Sequence, residues 1–364
     1  MRVAHLFVPL IAALSASSCA TIGYYAQAAG GQLELVSRSR PINDLLEDIP
    51  ADRDQSRTPT SPELKARLRK ILQIREYASR ELKLPDNDSY RMYADIERPA
   101  VAWNVVATPE FSLKPMKWCF PFAGCVPYRG YFSHKHAQRF AAELKQQGLD
   151  VRVAAVTAYS TLGWFNDPVL STQLHRNDSE LAGLIFHELA HQKLYVPGDA
   201  AFNESFATAV EIEGLRRWLA QSHDDAAFNA YLVDIKRRAE FVQLARGFRT
   251  RLEKLYASPL SDTDKRAQKA LIFSQLHSAY AGLRAHWNND GRYDGWFRQD
   301  LNNAHLASLD TYHQYVPAFQ ALLQNTQGAF AAFYAAATQL GRLPAEERAT
   351  RLSALGQAPV ATVE

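Results

Sequence analysis

The stretch "IFHELAHQKLYVPGDAAFNESFATAVE", residues 185 to 211, constrains the fold more than any other part of the chain. It reads as two apolar helices joined by a tight turn, yet it carries two histidines and several carboxylates. Asn177, three residues before Glu180, matches a capping box, so a helix is expected to begin there and run through Tyr195 until Pro197 and Gly198 stop it. Four residues turn an α-helix by about 400°, so His187 and His191 stand one above the other on one face. Glu188 lies beside that face. Asp199 can cap a second helix that folds back along the first.

That pattern is HExxH: two imidazoles spaced to grip one ion, with a carboxylate next to them that reaches a water without taking a coordination position. A catalytic zinc needs a third protein ligand and one open position. Glu204 is the expected third ligand, because the second helix can point it back at His187 and His191. Asp199, Glu211 and Glu213 are rivals. Asp199 is needed by the turn, and Glu211, two turns beyond Glu204, is better placed to hydrogen-bond a ligand histidine from behind. Two neutral imidazoles and one carboxylate suit a single Zn²⁺ per chain, with Glu188 as general base. The plain alternative is a helical hairpin whose polar residues face water.

Around this segment the pattern is α+β. "GQLELVSRSR" is expected to be helical up to Pro41. "SPELKARLRKILQIREYASRELKLP" is a clearer helix: Ser61 can cap it, Pro62 fits its first turn, and Leu64, Leu68, Ile71, Leu72 and Leu82 recur at helical spacing. "AVAWNVVATPEF", "VPYRGYF" and "DVRVAAVTAYST" read as strands, with "HAQRFAAELKQQG" a helix between the last two that Gly148 ends. His134 and His136 can share a strand face. From Ser179 to about Leu340 nearly everything reads as helix. Boundaries follow: a signal peptide over 1–18, a linker over 19–30, one domain over 31–355 with a mixed part (31–175) and a helical part (176–355), and a flexible tail over 356–364.

The first residues, "MRVAHLFVPLIAALSASSCA", have the layout of a secretory signal: Arg2, a short apolar run, then small residues ending at a cysteine. The run is far short of the ~20 residues that span a bilayer. Ala16-Ser17-Ser18-Cys19 resembles a bacterial lipobox, which makes Cys19 the expected lipidated N-terminus of a periplasmic, membrane-anchored lipoprotein. Plain secretion after a similar cut, with Cys19 discarded, is the alternative. Of three cysteines, the other two are Cys119 and Cys125, separated by a loop with Pro121 and Gly124. In an oxidising compartment they are expected to form a disulfide, and two free buried thiols are the alternative. The 41 basic and 38 acidic residues are spread along the chain, so its net charge of +3 gives no basic stripe and argues against a nucleic-acid partner. At 47% hydrophobic and 22% charged, a chain of 364 residues can bury a sizeable core.

"NESFATAVE", Asn203 to Glu211, is similar to the NE-x-F-A-x-x-x-E segment that follows HExxH in aminopeptidase-N-like gluzincins, whose first Glu binds zinc. Twelve residues separate His191 from Glu204 here, fewer than in that group. "LPDNDSYRMYADIERPAVAWNVVATPEFSL", "WCFPFAGCVPYRGYF", "AYSTLGWFNDPVLS", "FHELAHQKLYVPGDAAFNESFA" and "LNNAHLASLDTYHQYVPAF" together resemble a bacterial family called "Putative aminopeptidase", a group of zinc-motif lipoproteins. The resemblance covers most of the mature chain. It implies a zincin-like core, peptide substrates and removal of N-terminal residues. A zinc endopeptidase and a non-catalytic zinc-binding envelope protein are the other readings. In zincins the strand before the active helix pairs with the substrate, which points to Thr161, Leu162 and Gly163. The oxyanion donor in such enzymes is commonly Tyr or His. Tyr312, in the family-like "NNAHLASLDTY", is preferred over Tyr315 and Tyr280. Asp167 can hold a substrate ammonium or simply cap its Asp-Pro turn. His305 and His313 can border the site.

Overall fold

In the computed structural model, residues 24, 27, 30–49, 59–120, 124–157, 166–309 and 314–357 are described. Cys19, Thr161, Leu162, Gly163, Tyr312 and His313 lie outside them. The chain is α+β and 62% helical, with small sheets.

Strand β3 (Ala102–Thr108) is central in the larger antiparallel sheet, between β6 (Arg129–Tyr131) and β7 (Asp150–Val156). Trp103 is opposite Tyr131 on one side and Ala155 on the other. Six of its seven residues are buried, as expected of a strand whose two faces are both covered. Trp103, Val105 and Ala107 pack on Ala137, Ala141 and Leu144 of helix α2 (His134–Gln146). The Ser133 hydroxyl accepts from the His136 N–H and so starts that helix, which corrects the expectation that His134 and His136 share a strand face. Gly148, at φ +79°, takes the left-handed position past the helix end.

A second sheet orders β1 (Ser39–Pro41), β2 (Met92–Ala94) and β8 (Val169–Leu170), with β2 and β8 parallel. β1 differs from the expected helix up to Pro41: residues 30–38 are helical, and then Ser39–Pro41 find an exposed edge on β2. Cys119 and Cys125 are directly opposite each other in the hairpin of β4 (Trp118–Phe120) and β5 (Gly124–Val126), and they form a disulfide.

The helical body contains α1 (Pro62–Arg80), α3 (Asp178–Lys193), α4 (Ala200–Gln221), α7 (Val316–Asn325), α8 (Phe330–Gly341) and α9 (Ala345–Gln357). Ser61 caps α1, and the stripe Leu68, Ile71, Ile74, Tyr77 and Ala78 joins Phe186, Phe202, Phe206, Phe319 and Phe333 in one core. The close approach of α4 to α3 depends on Gly214, where a Cβ would stand 2.7 Å from Leu82 and 2.9 Å from Phe186. Helices α5 (Asp225–Tyr256) and α6 (Asp262–His286) pair as a long arm with its own core, including Leu252, Leu276, Trp296 and Phe297. No described helix is long and apolar enough to cross a membrane.

Candidate metal centre

The capping box closes as the residues dictate. Asn177 Oδ1 accepts from the Glu180 N–H at 2.9 Å, and Glu180 Oε2 accepts from the Asn177 N–H at 3.0 Å. Leu181, Ile185, Phe186 and Leu189 then face the core, which leaves His187 and His191 on the flank toward α4, with Glu188 the next position after His187. The helix ends at Lys193 rather than Tyr195, because Leu194 turns extended ahead of Pro197. Its last turn is tied down by Gln192, whose Oε1 accepts from Asn87 Nδ2 at 2.8 Å and whose Nε2 donates to Ser89 Oγ at 3.2 Å. The fully buried Arg75 holds that partner loop by donating to the carbonyls of Ser89, Pro85 and Asn87.

Between α3 and α4 the turn is pinned twice. Asp199 Oδ1 accepts from the Phe202 N–H at 3.0 Å, while its Oδ2 pairs with Arg348 at 2.7 Å. The buried Asn203 side chain accepts from the Val196 N–H and donates to the Val196 carbonyl, both at 2.8 Å. Asp199 is thus fully engaged, and Glu213 is bonded to Arg216 and Arg217. Neither rival reaches the histidines, but Glu204 does.

The Nε2 atoms of His187 and His191 are 3.1 Å apart. Glu204 Oε2 lies 3.3 Å from His187 Nε2, and Oε1 lies 3.6 Å from His191 Nε2. Zinc bonds of about 2.0–2.1 Å in a tetrahedron imply ligand separations of roughly 3.3 Å, so this donor set fits a zinc ion. Among the described residues it is the one group of three metal-binding side chains whose ligand atoms converge.

The two rings differ in their electrostatics. Burial opposes charge on His187, but its hydrogen bonds with Glu204 and Glu211 and the charges of Glu211 and Glu188 carry its pKa well above the ordinary histidine value. Burial and the charge of His187 push His191 the opposite way.

Behind His187, Glu211 Oε2 accepts from Nδ1 at 2.9 Å. This fixes the tautomer and leaves Nε2 as the lone-pair face. Glu211 Oε1 accepts from the Tyr231 hydroxyl at 2.7 Å, and burial followed by the Glu211 charge raises the phenol pKa, keeping the proton on oxygen. Gly183 makes room: a Cβ there would lie 3.1 Å from Glu211 Oε1. Among the described residues, His191 Nδ1 is buried without a hydrogen-bond partner, so only one of the two rings is braced this way.

The other candidates are dispersed. Tyr280 donates to Asp294 at 2.6 Å within the arm. Tyr315 packs against the main core, its N–H donating to Ser205 Oγ at 3.1 Å, and Ser205 follows Glu204 in the chain. Asp167 is buried, and its backbone carbonyl accepts from the Tyr90 N–H at 2.7 Å. His305 is held by Asn302 and Gln299. Sequence reasoning missed Tyr231, the Asn203 clamp and Gly183. A glycine inside an apolar helix was the available signal for Gly183, whereas Tyr231 is on another helix with no local spacing to mark it.

No curated protein and no solved structure matches the chain. A family model described as "Putative aminopeptidase" matches residues 23–352, nearly the whole chain and all of the centre. The chain belongs to that family.

Proposed function

We propose that the protein is a zinc-dependent metallopeptidase that removes residues from the amino ends of peptides. The observation that carries this reading is the meeting of His187, His191 and Glu204 around one point, with Glu188 beside it. A zinc ion held there would supply a Lewis acid for the scissile carbonyl and acidify the attacking water toward neutral pH. Glu188 would take a proton from the attacking water and deliver it to the leaving amine. Glu211 keeps the His187 ring in its ligating orientation. Tyr312 is the proposed donor to the oxyanion, three residues from Tyr315 at the Ser205 contact. Main-chain groups of Thr161, Leu162 and Gly163 are proposed to pair with an extended peptide on the approach to α3, which would make the core zincin-like.

The setting proposed for this activity is the bacterial cell envelope, with the signal peptide removed and Cys19 lipidated to anchor the enzyme at a membrane surface. The Cys119–Cys125 disulfide suits an oxidising compartment.

The test compares hydrolysis of a free-amine peptide with that of its N-acetylated twin by purified protein. An aminopeptidase cleaves the first and spares the second. Equal cleavage of both would make it an endopeptidase, and cleavage of neither at stoichiometric zinc would leave a non-catalytic metal protein.

A further inference from the structure

We propose that Tyr231 is a positioning residue for the metal centre: acting through Glu211, its hydroxyl fixes the imidazole of His187. The inference rests on reading His187 as a ligand. A carboxylate that hydrogen-bonds only one partner can swing about its terminal torsion, and the ring it holds swings with it. Glu211 has no such freedom. Oε2 accepts from His187 Nδ1 at 2.9 Å, and Oε1 accepts from the Tyr231 hydroxyl at 2.7 Å. Gly183 bounds Oε1 from the third side, since α3 approaches there without a side chain. The Tyr231 ring is itself held by stacking on Phe228, with centroids 6.4 Å apart.

Three helices thus contribute to the aim of one nitrogen: α3 carries His187, α4 carries Glu211, and α5 carries Tyr231. Tyr231 lies near the start of α5, whose later turns build the core of the arm. Among the described residues, the arm therefore reaches the centre through a hydrogen bond to a group that touches a ligand, and it supplies no member of the converging ligand set.

The experiment uses full-length, metal-stripped protein and measures zinc affinity by competition with a chromogenic chelator. Tyr231→Phe keeps the ring and removes the bond, and zinc affinity is expected to fall by about tenfold, the low end for losing a partner behind a ligand. Because Tyr231 acts through Glu211, adding Tyr231→Phe to Glu211→Ala should change affinity by less than about twofold. Unaltered affinity in Tyr231→Phe overturns the proposal, and so does an equal loss in both backgrounds, which would mark a merely structural tyrosine. Zinc that His187→Ala abolishes but Tyr231→Phe leaves untouched overturns only the role of Tyr231. A wild-type protein that binds no zinc overturns the metal site and this role together.

Discussion

Glu188 and His187 are sequence neighbours with different proposed tasks, because one helical position rotates a side chain by about 100°. Glu188→Gln removes the proposed base and keeps the shape. Zinc content is expected to be unchanged while kcat falls by about 10²- to 10⁴-fold, measured by metal analysis and peptide turnover on the same preparation. Undiminished turnover would assign the base elsewhere. Asn203→Ala leaves the Val196 N–H and carbonyl without their partner. A destabilisation of about 1–3 kcal/mol in denaturant unfolding is expected, together with weaker zinc binding as Glu204 loses its fixed approach. His187, Glu188 and His191 were legible in the sequence because their relation is set by helix geometry over four residues. Glu204 was legible because a Pro-Gly-Asp turn has few ways to return a helix. The Tyr231–Glu211 contact joins residues 20 apart on different helices, and only tertiary packing decides which residue fills that place.

At the scale of elements, α3 and α4 are held at their distance by glycines. Gly214→Ala puts a methyl within 2.9 Å of the Phe186 ring and closer still to Leu82, so a loss of about 1–3 kcal/mol and a lower Tm are expected. Full stability would mean that the helices part freely. Further along α4, Glu213 is opposed by burial, but its bonds to Arg216 and Arg217 lower its pKa overall. A carboxyl lowered in the folded state stabilises above its unfolded pKa, and that stability is lost as pH falls through the folded value. Glu213→Gln is accordingly expected to cost up to about 1 kcal/mol near neutral pH, given the exposure of Arg216. Its stability should converge with wild type in acid, and a gap that persisted at low pH would rule out the ion pairs as its cause. The caps at Ser61 and Asn177, the apolar run of β3 and the end of α2 at Gly148 were readable from local chemistry. β1 was not, since a three-residue strand exists only because β2 offers it an edge. Nor was the early end of α3, where the break spreads back from Pro197 to Leu194.

For the whole molecule, the α+β class followed from hydrophobic periods that switch between two and 3.6 residues, but the division of cores did not. α1 precedes every strand of the larger sheet, yet it packs into the same core as α3 and the C-terminal helices. Which surfaces meet is a property of complementary shape rather than of sequence order. The candidate metal centre lies between two helices of that core, so an ion bound there only by the folded chain would stabilise the entire body. With free zinc at a hundred times Kd the gain is about 2.7 kcal/mol. A chelator is therefore expected to lower the Tm of the wild type and to leave His187→Ala unmoved. The most direct measurement is zinc content per chain in purified wild-type protein and in Glu204→Ala after identical dialysis. The account predicts one zinc per wild-type chain and a substoichiometric amount in the variant. A full equivalent of zinc in Glu204→Ala, or none in the wild type, would contradict it.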